Sequence, residues 1–191
     1  MQKDLSGRCG WCGDDPFYVK YHDEEWGRSP PDNDRKMFEF LILESAQAGL
    51  SWLTILRKRE NYRKAFARFN AKKVAGFDDR DVERLMGDAG IVRNRLKIIA
   101  AINNTRLFLD IQAQHGGFRE YLLSFLPNGK PMVNHPITLA DIPASTELSD
   151  AISRELKRLG FKFFGTTICY AHLQATGLVN DHLESCPFKY G

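Results

Sequence analysis

Three groups of side chains in the 191-residue chain have types and spacings that could do chemistry. At the two ends stand Cys9 and His22, a Cys-x12-His pair, and His182 and Cys186, a His-x3-Cys pair. Together they form a Cys2His2 set suited to a tetrahedral zinc ion. Almost the whole chain separates the two halves, so two unrelated pairs of core or surface residues are the alternative. Cys9-Gly10-Trp11-Cys12 is also a Cys-x-x-Cys, a pattern of redox dithiols that could equally bring Cys12 to a metal in place of one histidine. A thioredoxin-like dithiol needs a strand before it and a βαβ pattern around it, and neither is present. Cys169, beside Ile168 on the apolar side of its helix, reads as an inert core thiol.

The second group centres on one glutamate. Projected on a helix, Met37, Phe40, Leu41 and Ala48 share a face and Glu44 falls in the middle of it, whereas Glu39 points the other way. A carboxylate on an apolar face is costly to bury alone, so it must be paired, protonated or set to meet a ligand. A buried salt bridge or helix-cap contact is the structural alternative. The aromatic residues Trp11, Tyr18, Tyr21, Trp26 and Trp52 crowd the same part of the chain. Flat walls around one hydrogen-bond acceptor suit a flipped purine, above all a cationic one.

The third group is Gly160-Phe161-Lys162-Phe163-Phe164-Gly165, a short joint between helices expected at 149–159 and 166–176. Ile152, Leu156 and Leu159 give the first helix an apolar face, and Ile168, Ala171 and Ala175 give the second one. Glycines at both ends allow a tight turn and close approach to a partner. Thr166 or Thr167 then opens a helix whose free N–H groups favour a phosphate. The pattern resembles a helix–hairpin–helix, which holds DNA backbone without reading sequence; a hairpin used only for packing is the alternative.

The elements that must position these groups are mostly helical, because apolar residues recur at helical spacing and alternating runs are hard to find. Asp34 is expected to cap a helix over 34–48 that ends at Gly49, and Ser51 one that runs to residue 66. Shorter and longer helices follow at 79–88, stopped by Gly90, and at 93–114, stopped by Gly116-Gly117. Pro127-Asn128-Gly129-Lys130-Pro131 and Asn134-His135-Pro136 mark an irregular connector. The length predicts one compact unit over 1–191, with the hairpin element at about 149–176 and metal-binding segments at 9–22 and 182–186.

A net charge of +3 and a pI of about 8.7 require any nucleic-acid surface to come from local clusters. Candidates are Arg57-Lys58-Arg59 with Arg63 and Lys64, then Arg93, Arg95 and Lys97, then Lys157, Arg158 and Lys162. Solvated helix faces are the alternative. No apolar stretch approaches the roughly 20 residues that span a bilayer, and the first residues lack a signal-peptide core, so a cytoplasmic protein is expected. Four cysteines in a chain this long do not suggest a disulfide scaffold.

Several long blocks resemble the 3-methyladenine DNA glycosylase I family. They are Arg8-Cys9-Gly10-Trp11, Tyr21-His22-Asp23-Glu24-Glu25-Trp26-Gly27, Leu43-Glu44-Ser45-Ala46-Gln47-Ala48-Gly49-Leu50-Ser51-Trp52 and Lys58-Arg59-Glu60-Asn61-Tyr62. Asp88-Ala89-Gly90-Ile91-Val92-Arg93, the joint continued through Thr166-Thr167-Ile168-Cys169-Tyr170, and Gly177-Leu178-Val179-Asn180-Asp181-His182 extend the likeness over nearly the whole chain. The resemblance implies an all-α helix–hairpin–helix glycosylase fold with a zinc site joining the N- and C-terminal segments. It implies hydrolysis of the N-glycosidic bond of N3-methyladenine in double-stranded DNA. Carried over, Cys9, His22, His182 and Cys186 would hold one structural Zn2+ per chain, and Glu44 would recognise the base. Tyr18 and Tyr21 would lie beside it, Trp52 would stack on the ring, and Trp11 would stand behind. The hairpin residues Gly160, Phe161, Lys162, Gly165 and Thr166 would hold DNA.

The chain departs from that pattern at Cys12, where no family cysteine is expected. It also has Asn180 where the wider superfamily has a catalytic aspartate. Asparagine cannot act as a general base, so the reaction would lean on a cationic base that leaves easily. No lysine is placed as a Schiff-base nucleophile, so a monofunctional hydrolase is expected, and a monomer. A non-catalytic helix–hairpin–helix DNA-binding module and a zinc-stabilised interaction protein are the competing readings.

Overall fold

In the computed structural model, which describes residues 7–28 and 34–190, most helices start at a polar residue whose side chain takes up a free N–H. Asp15 caps α1 (Pro16–Glu24), with proline at the first helical position. Beyond α2 (Asp34–Gln47), Ser51 caps α3 (Trp52–Ala65), Asn70 caps α4 (Ala71–Ala75), and Asp78 forms a reciprocal capping box on α5 (Asp79–Gly87). Asn94 opens α6 (Arg95–His115), which ends at the left-handed Gly116. After α7 (Phe118–Leu123), Thr146 caps α8 (Glu147–Leu159), and α9 (Thr166–Ala175) follows across the hairpin. The expected helices all form, each shifted by no more than two residues at either end. Helices α1, α4 and α7 were not anticipated; each is under ten residues, too short for a periodic signal.

Asp34 does not cap the helix it was expected to start. It lies inside α2, whose N-cap position falls outside the described residues. Its carboxylate instead accepts from the N–H groups of Phe118 (2.6 Å) and Arg119 (3.2 Å) and from Gln112 Nε2 (3.1 Å). It therefore caps α7, whose own N-cap, Gly117, has no side chain to offer. Three elements are tied at one charge.

Helix α2 is central. It packs against α3, α6, α7 and α9, and every residue from Met37 to Ala46 is buried. A helix surrounded on all sides has no solvent face, so Glu39, which points away from the stripe that holds Glu44, is buried too, at 5 % exposed. It is neutralised by Arg59 (2.8 Å), Arg63 (3.0 Å) and Lys36 (3.5 Å), and Arg59 also grips both oxygens of Glu25 at 2.7 and 2.9 Å. Against the burial that opposes it, this pairing with Arg59 and Lys36 holds the Glu25 carboxyl down at about 2. The cluster fastens the end of α1 to α2 and α3. It also removes Arg59 from the first candidate DNA-contacting cluster.

The irregular connector after α7 carries β1 (Met132–Val133), which pairs in parallel with β2 (Val179–Asn180) just beyond α9. The C-terminal segment is thereby drawn back to the rest of the chain. Among the described residues no helix is long and apolar enough to cross a membrane.

Asp34→Ala should lower stability by about 1 kcal/mol, as the loss of a cap does. Arg57→Ala, which removes an exposed partner of Asp15, should leave the urea midpoint almost unchanged. Equal midpoints for the two variants would remove Asp34 from its capping role.

Candidate functional site

Glu44 is 1 % exposed and lines a cavity of about 250 Å³. The aromatic wall comes from three places. Tyr18 and Tyr21 stand one turn apart on α1, Trp11 sits in the 3-10 turn Gly10–Cys12, and Trp52 is the first residue of α3, fixed by the Ser51 cap. Their rings meet edge to face, with centroids 5.1 Å apart for Trp11 and Tyr18, 4.8 Å for Trp11 and Trp26, and 5.5 Å for Tyr21 and Trp52. The structure thus brings Glu44, Tyr18, Tyr21, Trp52 and Trp11 to one cavity. Gln47, Ile142, Ala171 and Gln174 complete the lining and were not foreseen.

Burial pushes the Glu44 carboxyl up, and His172 opposes that shift. The imidazole Nδ1 lies 2.8 Å from Glu44 Oε2, with the His172 side chain closed to solvent and that of Glu44 nearly so. Burial also pushes up the phenols of Tyr18 and Tyr21, so both stay protonated at neutral pH and can donate. The indole Nε1–H groups of Trp11 and Trp52 are buried without a partner. The cavity offers π-faces, unused donors and one carboxylate, which fits a flat ring with a polar edge and positive charge.

At the chain ends the ligand atoms of Cys9, His22, His182 and Cys186 all lie within 4.8 Å of one another. Cys186 Sγ is 3.3 Å from His182 Nδ1 and 3.6 Å from His22 Nε2, and Cys9 Sγ is 3.6 Å from His182 Nδ1. A tetrahedral ion with Cys and His ligands requires separations of about 3.3–3.8 Å. The other ring nitrogens are oriented from behind: His22 Nδ1 meets Asp23 at 2.8 Å, and His182 Nε2 meets the Trp26 carbonyl at 2.9 Å. Arg8 clamps Asp23 through two bonds of 2.8 Å. Without a cation, burial raises the Cys9 thiol to about 12 and lowers the His182 imidazole to about 4. A divalent cation reverses that preference at the thiols. The donor set fits a metal ion. Cys12 is not part of it, since its Sγ donates to the Cys9 carbonyl at 3.2 Å. The set also supports the cavity, because Trp11 packs on His22 (5.3 Å) and Trp26 on His182 (4.7 Å).

Between α8 and α9 the hairpin turns through Gly160 at φ 105°, a left-handed conformation that glycine permits at little cost. Gly165 differs from expectation. Its backbone is extended (φ −74°, ψ 176°), and a Cβ there would meet nothing within 4 Å, so any need for glycine is imposed from outside the chain. Phe161 and Phe164 are core residues, and Phe161 also borders the groove beside the hairpin. The Lys162 N–H donates to Asn104 Oδ1 (2.9 Å) and Asn104 Nδ2 donates to the Lys162 carbonyl (2.7 Å), so that backbone is already bonded. The Lys162 side chain is exposed, beside exposed Arg154 and Lys157 along a groove of about 560 Å³. Helix α9 begins there with no side-chain cap, and Thr166 Oγ1 bonds Ser149 at 2.8 Å.

Asn180 does not line the cavity. Its Nδ2 donates to the Lys189 carbonyl (2.8 Å), and its Oδ1 accepts from the His182 N–H (3.1 Å). The carboxylate beside it, Asp181, is buried and receives Tyr170 Oη (2.5 Å), Gln174 Nε2 (2.7 Å) and Asn134 Nδ2 (2.7 Å). It fixes Gln174 at the cavity edge.

The chain is mostly helical and holds a buried acid in an aromatic cavity, a helical hairpin and a cysteine–histidine cluster. Comparison with known proteins is specific. The sequence profile described as methyladenine glycosylase matches residues 11–190, and the chain belongs to the methyladenine glycosylase family. DNA-3-methyladenine glycosylase 1 of Escherichia coli (strain K12) is 52 % identical over 179 residues, covering 94 % of this chain and 95 % of that protein. DNA-3-methyladenine glycosylase of Haemophilus influenzae is 43 % identical, covering 97 % and 99 %. A solved structure of 3-methyladenine DNA glycosylase I from Staphylococcus aureus, described as the structural basis of 3-methyladenine recognition, superposes with a TM-score of 0.91. It shares 38 % identity, with 97 % of each chain covered.

Cys186→Ser should lower both the metal content of the purified protein and its melting temperature, whereas Cys12→Ser should change neither. Metal analysis with thermal denaturation reads both. Equal metal loss in the two variants would place Cys12 on the ion.

Proposed function

We propose that the protein is a monofunctional DNA glycosylase that hydrolyses the N-glycosidic bond of N3-methyladenine in double-stranded alkylated DNA. The observation that carries this reading is the Glu44 carboxylate closed inside an aromatic cavity sized for a single base. The relatives named above are called DNA-3-methyladenine glycosylases, and the Staphylococcus aureus structure is described by its recognition of that base.

The extruded base enters between the aromatic faces, where the walls replace the stacking lost from the duplex. Alkylation at N3 makes the base cationic and weakens its bond to the sugar. Glu44 attracts that charge in a site shielded from water and accepts hydrogen bonds from the adenine edge. Water then adds to the sugar carbon as the base leaves. Glu44 is the one acid and no lysine stands among the residues that line the cavity, which supports hydrolysis over a strand-cleaving lyase. Asn180, used in backbone bonds, takes no part in the chemistry.

The cysteine–histidine set would hold one zinc ion. With four protein ligands the ion would have no open position for water, so it would supply structure: it closes the chain ends and backs Trp11 and Trp26. The hairpin would hold the DNA backbone, with phosphate at the uncapped start of α9 and Lys157 and Lys162 alongside. A mere DNA-binding module gives no reason to close a carboxylate inside an aromatic cavity, and the burial of Glu44 disfavours that reading.

Glu44→Gln keeps the shape and removes the charge. It should reduce release of 3-methyladenine from methylated DNA, resolved by chromatography, and affinity for the free base by at least about tenfold. Wild-type turnover in this variant would return Glu44 to a structural role. Gly165→Val should fold normally, because its backbone is extended and the space beside it is open. It should weaken binding to undamaged duplex, a binding that itself falls with salt, while free-base affinity stays within about twofold of wild type. Loss of free-base binding in Gly165→Val would mean the hairpin and cavity are not separate.

A further inference from the structure

His172 is a buried, titratable residue that the proposed chemistry does not yet use. It lies on α9, across from α2, and its exposure is 0 %. One ring nitrogen, Nδ1, is 2.8 Å from Glu44 Oε2; the other, Nε2, is buried with no hydrogen-bond partner. With Glu44 ionised, as recognition of a cationic base requires, the proton can be placed. A hydrogen on Nε2 would be an unsatisfied buried donor, and a bare Nδ1 would set lone pair against lone pair at the carboxylate. The proton therefore sits on Nδ1 and is donated to Glu44. The edges of Phe118 and Phe164 hold the ring in place, with centroids 6.1 and 5.4 Å away.

Glu44 Oε1 has no hydrogen-bond partner among the described residues, yet it is not among the atoms sealed from solvent. Glu44 lines the cavity, so Oε1 is the oxygen that meets it. We propose that His172 is the positioning residue for Glu44: its Nδ1–H fixes one carboxylate oxygen and turns the other to the base. This rests on the reading of Glu44 as the base-recognising group. Among the described residues no other donor reaches Oε2, so without the imidazole the carboxylate is free to rotate away or to take up a proton.

The test compares side chains that differ in where they place a donor. In His172→Asn the amide nitrogen falls near the position of Nδ1; in His172→Gln it falls near Nε2, out of reach of Glu44. His172→Phe keeps a ring between Phe118 and Phe164 and has no donor. Affinity for free 3-methyladenine is read from the fluorescence of the tryptophans that wall the cavity, with Glu44→Gln as reference and thermal melts reporting folding. Asn should bind within about threefold of wild type, and Gln and Phe should lose between about tenfold and a hundredfold. Combining His172→Gln with Glu44→Gln should cost little beyond Glu44→Gln alone. Wild-type binding by His172→Gln, or equal loss in Asn and Gln, would overturn the positioning role. Wild-type binding by Glu44→Gln would instead overturn the reading of Glu44 itself. If His172→Phe fails to fold, the comparison of Asn with Gln still decides, since both are polar and similar in size.

Discussion

A carboxylate taken out of water loses several kcal/mol of effective solvation even after the protein relaxes around it, and Glu44 sits in the most enclosed helix of the fold. The bond from His172 Nδ1 to Glu44 Oε2, 2.8 Å long, is what the protein sets against that cost. It dictates the arrangement of the large elements. Helix α9 has to run beside α2 for the imidazole to reach, and Phe118 of α7 and Phe164 of the hairpin have to close over the ring. The remaining elements bring aromatic walls up to the other oxygen.

Two of those walls, Trp11 and Trp26, come from parts of the chain with little regular structure of their own. Trp11 precedes α1 in a single 3-10 turn, and Trp26 follows α1. Neither belongs to a long helix that would hold it. Contact with the imidazoles of His22 and His182 supplies the missing rigidity, and those imidazoles are fixed in turn by Asp23 and by the Trp26 carbonyl. A tetrahedral centre held by these side chains would be a short, stiff crosslink between segments far apart in sequence, and the cluster lies directly behind the cavity wall.

The long helices were legible because caps and stops are local: Ser51, Asn94 and the glycine after α6 act on their neighbours and on nothing else. Residues with distant partners were not legible in the same way. Asp34 looked like a cap for α2 and is one for α7, since a carboxylate caps whichever free N–H groups folding brings near. Glu39 points away from the apolar stripe that holds Glu44 and is buried all the same, because α2 is enclosed on every side. Glu44 could be singled out, as a charge in an apolar stripe, but its partner could not. His172 stands 128 positions away and carries no signal of its own. The metal set was readable as residue types, and only the fold joins its halves. The resemblance to a known family supplied the rest.

Helix α9 carries both ends of the proposed function. Its first turn lies exposed beside Lys157 and Lys162, while Ala171, His172 and Gln174 stand at or behind the cavity. From Gly165 to His172 is seven residues, or about 10 Å along a helix. A helix resists bending, so the distance from a phosphate held at its start to a base beside Glu44 is set by the fold rather than by a flexible loop. The hairpin bonds to Asn103 and Asn104 secure the same length from the other side, by tying the turn to α6. A nucleotide whose backbone was gripped at the hairpin would then present its base at one reach only. On the proposed reading, geometry of this kind would let a binding surface blind to sequence deliver an extruded base to one cavity, where the charge at Glu44 and the aromatic walls would favour a cationic ring over a neutral one.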